Sequence, residues 1–318
     1  MEKVESRVSK FFIQKQIGKL LKQSNFYKET GFTCIELTKF VFLLIFGGKN
    51  LYQTLLREDT ADKPGKDTVY RFLNSCRFNW RKLLLLLSSR IVQEQLAPLT
   101  SDNIKVLILD DSLYRRGRSK AVELLARVHD HVSMKYVRGF RMLTLGWSDG
   151  NSFIPLCFSL LSSEKAENRL CRINDSIDKR TVGYRRRKES IKKSTEVIFD
   201  LLQQAKNAGI QASYLLFDSW FAFPKTIIKV REHGLHVICM VKALPRVVYL
   251  YQGQKMNLQN LYSVLRKKRG KAKILSSAIV TIGTDEQGRE VQAKIIFVRD
   301  RNRSKKWLAL LSTDIELA

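Results

Sequence analysis

Val106-Leu107-Ile108-Leu109-Asp110-Asp111-Ser112 is the stretch on which the fold turns, and Tyr214-Leu215-Leu216-Phe217-Asp218-Ser219 repeats its design about a hundred residues later. Four or five apolar residues in a row read as a strand buried on both faces. A carboxylate at the end of such a strand sits at the rim of the sheet, where open α/β sheets place their ligands. Two such ends side by side make a site for a divalent cation, because hard Mg²⁺ prefers oxygen ligands and keeps part of its water shell. Adjacent side chains on a strand alternate faces, so Asp110 and Asp111 cannot both point the same way. Asp111 is the expected ligand beside Asp218, since Ser112 and a loop follow it directly, with Asp110 as the alternative. The other reading makes Asp111 a loop cap and Asp218 a helix cap.

The rest of the composition favours a phosphate-bearing partner. Of 318 residues, 57 are Lys or Arg and 30 are Asp or Glu, a net charge of +27, and the pI is near 10. That is the electrostatic footprint of a nucleic-acid binder. Basic ribosomal and membrane-surface proteins share it, so charge says nothing about reaction chemistry. At 44% hydrophobic, the chain can bury a real core. The five cysteines are scattered, odd in number and without a C-x-x-C pair, which argues against both a disulfide framework and a zinc site. Cys157 and Cys239 lie in apolar runs and read as core residues. The N-terminus opens no secretory signal, and Phe40 to Phe46 is too short to span a bilayer, so a reducing cytoplasm is expected.

Residues 1–100 read as a helical region. Phe11, Ile13, Ile17, Leu20 and Leu21 fall near helical spacing, and Thr33-Cys34-Ile35-Glu36 carries an N-cap with a capping-box glutamate. The turn Asp62-Lys63-Pro64-Gly65-Lys66-Asp67 precedes a short helix with an acidic or hydroxyl cap and Tyr70 and Arg71 in its first turn. A second helix in that position suits a helix-turn-helix module. A bundle helix with a basic solvated face is the alternative.

Residues 101–318 read as α/β. Strands are expected at 104–110, 139–147, 153–160, 213–217 and 236–242, with a helix around 223–233. The turn Ser148-Asp149-Gly150-Asn151 makes a hairpin of the second and third. Three antiparallel strands followed by helix-separated ones is the mixed-sheet order of the ribonuclease-H-like fold. Residues 244–303 read as a β-rich insertion, with strands at 274–282 and 291–298 and the basic run Arg266–Lys271 between them, before a last strand at 307–314.

Asp110-Asp111-Ser112, then Leu124-Leu125-Ala126-Arg127-Val128-His129-Asp130-His131, Gly139 to Gly150 and Phe217-Asp218-Ser219-Trp220-Phe221 closely resemble the DDE-type transposases of bacterial insertion sequences. The resemblance covers nearly the whole chain, including Thr68 to Asn74, and is specific in its combination. It implies a ribonuclease-H-like core and Mg²⁺ (with Mn²⁺ able to substitute). It also implies binding to inverted-repeat DNA ends as a homo-oligomer, with cleavage and strand transfer into target DNA near the nucleoid. A β-rich insertion is typical of one large branch of the family. The family's third acidic residue is a glutamate on a helix after the last strand, within a Tyr…Arg…Glu…Lys pattern. That pattern is not found here: Glu316 lies close to the last strand, and Tyr184, Arg187 and Glu189 have another spacing and precede Asp218. The expectation is a transposase truncated before that glutamate. The alternative is a DNA-binding remnant that occupies the ends without cutting; a nuclease acting on RNA or hybrids is a third reading.

Smaller features also bear on nucleic acid. Arg185-Arg186-Arg187-Lys188 suits phosphate-backbone contact, or is a solvated charge run. Trp220 and Phe221 suit stacking on a flipped base, or core packing. His129 and His131 flank Asp130 as metal ligands on a strand would, or are solvated histidines.

Overall fold

Spacing and caps build the helical start of the chain. The computed structural model describes residues 2–48, 50–57, 63–130, 132–268, 272–300 and 306–317. Helices α1 (Glu2–Gln14), α2 (Ile17–Gln23) and α3 (Cys34–Gly47) bury Val8, Phe12, Ile17, Leu20, Leu21 and Leu37 in one cluster. Thr33 caps α3 as its sequence predicts: its hydroxyl accepts the Glu36 N–H at 3.3 Å and the Glu36 carboxylate accepts the Thr33 N–H at 2.7 Å. Helices α4 (Leu51–Arg57), α5 (Lys66–Leu73) and α6 (Trp80–Ile91) follow, and a π turn at Val92–Leu96 leads into the short α7 (Ala97–Leu99). Phe26 anchors this cluster, stacked on Phe78 at 4.6 Å and edge-on to Trp80 at 4.7 Å between ring centroids. The cap of α5 differs from the expected one. Gly65, not an acidic or hydroxyl residue, is the N-cap, because the helix opens at Lys66 directly after the Pro64-Gly65 turn. Tyr70 and Arg71 therefore sit in its second turn. Asp62 of the expected turn lies outside the described residues.

The chain divides into two compact units. One holds Met1–Gln95, Leu113–Arg141 and Ser159–Lys192; the other holds Leu96–Ser112, Met142–Phe158 and Lys193–Ala318. Strands β1 (Val106–Arg115), β3 (Lys135–Ser148) and β4 (Phe153–Leu161) contribute residues to both. The first unit also contains β2 (Ala126–Asp130), antiparallel to the start of β3, and α8 (Val182–Glu189). Within it β1 and β3 approach closely: a Cβ on Gly139 would lie 2.4 Å from the Tyr114 carbonyl oxygen. Gly139→Ala is therefore expected to force these strands apart and lower the thermal midpoint by several degrees, for roughly 1–3 kcal/mol of overpacking. An unchanged melt would show that the strands separate at no cost.

The second unit also contains α9 (Ser194–Asn207), β5 (Tyr214–Phe217), α10 (Pro224–Glu232), β6 (His236–Val241), β7 (Tyr249–Tyr251), β8 (Gln254–Met256), α11 (Leu258–Val264), β9 (Ile274–Thr284), β10 (Glu290–Arg299) and β11 (Trp307–Ser312). β4 and β3 lie on one side of β1, with β5 and β6 on the other, and β5 runs parallel to both β1 and β6. This is the ribonuclease-H-like order expected from the sequence. Leu215, Phe217, Val237, Cys239, Ile295, Phe297 and Leu311 are buried on one sheet face, while α9 and α10 bury Val197, Ile198, Leu201, Ile227 and Val230. Burial pushes the Cys239 thiol up to about 12, which keeps it an inert core residue.

Two features depart from the sequence reading. β1 runs to Arg115, well past the expected end at residue 110, and the Arg116 N–H goes on to donate to the Arg138 carbonyl at 2.8 Å. The two aspartates are thus inside a strand and no loop follows Asp111. The β-rich segment continues the same sheet, with β11 pairing β6 and β10, and β10 pairing β9. It also contains α11, whose Asn257 cap and Leu258/Leu261 spacing signal a helix that a β-rich reading passes over. Residues 269–271 of the basic run lie outside the described residues. No helix among the described residues is long and apolar enough to cross a membrane.

Candidate functional site

The register of β1 on β5 brings two carboxylates to the end of one ladder. Leu109 pairs with Phe217 at the end of the parallel ladder, so Asp110 and Asp218 each directly follow the last paired residue of their strands. Neighbouring strands are about 4.8 Å apart, close enough for two carboxylates to share one cation. Both residues are exposed. Alternation along β1 puts Leu107, Leu109 and half-buried Asp111 on one face, and Ile108, Asp110 and Ser112 on the other. The Ser112 hydroxyl, on the second face, donates to Asp110 Oδ2 at 2.6 Å. The ground for preferring Asp111, a loop directly after it, is absent, and it is Asp110 that directly follows Leu109, the residue paired with Phe217.

Asp218 is held locally. Its Oδ1 accepts the Ser219 N–H at 2.5 Å and the Ser219 hydroxyl at 3.0 Å. It does not cap a helix, because α10 starts at Pro224 with Phe223 as its N-cap. Of the two aromatic residues beyond it, Phe221 is buried in the core, whereas Trp220 is 48% exposed with the Lys242 ammonium 5.9 Å from its ring centroid.

The acidic residues near the end of the chain occupy the other end of β5. Tyr214, at the start of that strand, donates its hydroxyl to Asp314 Oδ2 at 2.5 Å. The tyrosine hydrogen bond holds the Asp314 carboxyl below its usual range. The Glu316 N–H in turn bonds Asp314 Oδ1 at 3.2 Å. Tyr214 to Asp218 is four residues of extended chain, roughly 13 Å, so neither acid joins the Asp110–Asp218 pair. Among the described residues no three His, Cys, Asp or Glu side chains group as a metal would require. His131 lies outside them. His129 packs edge-on against Tyr136 at 5.3 Å.

The expected DNA-contacting residues separate into two kinds. Tyr70 and Arg71 are exposed on α5. On α8, Arg185 and Lys188 are exposed, whereas Arg186 and Arg187 are half-buried and paired within the first unit. Arg186 reaches Glu189 at 2.9 Å, and Arg187 holds Glu123 by two bonds of 2.5 and 3.1 Å. The basic run is therefore not one solvated stripe. Glu189, set aside by its spacing as the family's third acid, has a structural role that the sequence does not signal: it accepts both ends of the Arg81 guanidinium and the Ser159 hydroxyl. Burial pushes its carboxyl up, but Arg81, Ser159 and Arg186 outweigh that and hold it below its ordinary range.

Residues 38–302 match the DDE superfamily endonucleases, and the chain belongs to that family. No curated protein sequence matches it. The Drosophila P element transposase strand transfer complex is similar to it in structure at a TM-score of 0.31 and 12% identity. That similarity covers 84% of this chain and 56% of the transposase, so this chain spans little more than half of that protein's length.

Proposed function

We propose that this chain is an insertion-sequence transposase that binds terminal inverted-repeat DNA, cuts it and joins it to target DNA, with Asp110 and Asp218 as its metal-binding pair. The observation that carries this is that Asp110 and Asp218 directly follow the last paired residues of two neighbouring parallel strands in a DDE superfamily endonuclease. The donor set fits Mg²⁺, and equally Mn²⁺: two exposed carboxylates leave room for water and for substrate phosphate oxygens. When bound, such an ion lowers the pKa of water and offsets charge on the leaving oxygen. The chain's own part is to fix the two carboxylates, with Ser112 and Ser219 restraining Asp110 and Asp218 by hydrogen bonds. Tyr70, Arg71, Arg185 and Lys188 are the proposed contacts to DNA backbone, and Arg186 and Arg187 position α8. A homo-oligomer would hold two ends together.

The alternative, a chain that occupies the ends without cutting, draws on the absence of a third carboxylate beside Asp110 and Asp218 among the described residues. Incubating the chain with terminal-repeat duplex and Mg²⁺ or Mn²⁺ separates the two. The first reading expects strand nicks at the repeat ends; bound but uncut DNA with either ion would favour the second.

A further inference from the structure

The ribbon formed by β2 and the start of β3 carries a surface that neither the aspartate pair nor the α5 and α8 residues explain. Its ladder pairs Arg127 with Arg138, Val128 with Val137 and His129 with Tyr136. Alternation turns Ala126, Val128 and Asp130 inward, where all three are buried. Arg127, Arg138 and Tyr136 share the outward face, and Tyr136 is 69% exposed.

Two like charges directly opposite on neighbouring strands destabilise a ribbon, and neither the Arg127 nor the Arg138 guanidinium has an ion-pair partner among the described residues. The surroundings add to the charge. Residues 113–141 contain eight Lys or Arg against two carboxylates, Glu123 and Asp130. Both acids are already engaged: Glu123 holds Arg187, and Asp130 takes the Ser133 hydroxyl, the Val132 N–H and Arg115. The Ser133 and Val132 hydrogen bonds lead in lowering the Asp130 carboxyl to about 2, so it stays charged and occupied at any working pH. The carboxylates therefore leave the outward arginines to an external anion. The Arg116 guanidinium, 4.7 Å over the Tyr114 ring, extends the basic surface along the end of β1.

We infer that this β-ribbon is a docking surface for double-stranded DNA, with Arg127 and Arg138 clasping one phosphate stretch and Tyr136 packing beside it. A polyanion relieves the repulsion between the paired arginines, and a two-stranded ribbon fits the major groove of B-form DNA. The deep, narrow major groove of duplex RNA does not admit it. The choice of DNA over another polyanion rests on the proposed function; the location of the surface does not.

The test is fluorescence anisotropy of the full chain on a ~30-bp DNA duplex across a range of salt concentrations. Each phosphate contact contributes about 0.9 to the slope of log affinity against log salt. Arg127→Ala/Arg138→Ala is expected to reduce that slope by about 2 and to weaken binding on the order of tenfold to a hundredfold near 0.1 M salt. Lys206→Ala/Lys255→Ala, which removes two exposed charges from the second unit, should leave both nearly unchanged. The ribbon double variant should melt no lower than wild type, since it loses a like-charge pair. Equal losses in the two double variants would mean generic attraction and overturn the assignment, as would tighter binding to duplex RNA. Wild-type binding with an indifferent ribbon variant would sink the ribbon alone. No DNA binding by the wild type would sink the proposed function with it.

Discussion

Replacing Asp218 with Asn is expected to abolish metal-dependent nicking while leaving DNA binding within about twofold. The substitution keeps size and shape but removes the charge that a divalent cation requires. Loss of several kcal/mol of transition-state stabilisation, at 1.36 kcal/mol per factor of ten, is roughly a thousandfold or more in rate. Asp110→Asn should match it, because Asp110 and Asp218 each follow directly on the Leu109–Phe217 pair of the β1–β5 ladder. Asp111→Asn should cost much less, since that residue shares the face of buried Leu107 and Leu109. Equal losses at 110 and 111 would count against the face assignment. Retained nicking in Asp218→Asn would remove that residue from the chemistry.

The largest expected effect on stability lies far from this pair in sequence. Arg81, on α6, and Glu189, at the end of α8, form a pair whose side chains are 4% and 10% exposed. Breaking one partner of a buried pair leaves an uncompensated charge, which costs about 3–5 kcal/mol. Arg81→Met should therefore lower the urea midpoint sharply. Arg81→Met/Glu189→Met should recover much of the loss, because apolar packing replaces both charges together. The pH dependence has a definite sign. The Glu189 carboxyl is depressed in the folded chain, so its contribution is complete above the unfolded glutamate value near ~4.3 and is lost as pH falls through the folded value. The wild type should lose more stability than the double variant as pH drops below that point. A single variant as stable as wild type would mean that Arg81 and Glu189 contribute no net stability.

Much of the fold is legible from local pattern. The apolar runs at 106–109, 214–217 and 236–241 become strands because both faces of the inner sheet demand apolar side chains, and Thr33 with Glu36 fixes the start of α3 by chemistry that needs no tertiary contact. Strand ends are harder. Ser112 to Arg115 have no apolar run, and their place beside β3 is a long-range fact that periodicity cannot carry. That shortfall underlies the preference for Asp111, which rested on a loop where β1 in fact continues to Arg115. The basic run at 185–188 divides for a similar reason. Half of it is neutralised by Glu123 and Glu189, one of them more than sixty residues distant in sequence. The arginines of the β2–β3 ribbon, by contrast, are scattered in sequence and become a surface only once paired across strands.

The most direct test of the account is where a metal sits. Fe²⁺ with ascorbate, loaded in place of Mg²⁺, generates radicals that cut the backbone beside the ion, a readout independent of nicking. Cuts near Asp110 and near Asp218, suppressed by excess Mg²⁺ and absent in Asp218→Asn, are the expected result. Cuts elsewhere in the chain, or cuts that survive in Asp218→Asn, would contradict it.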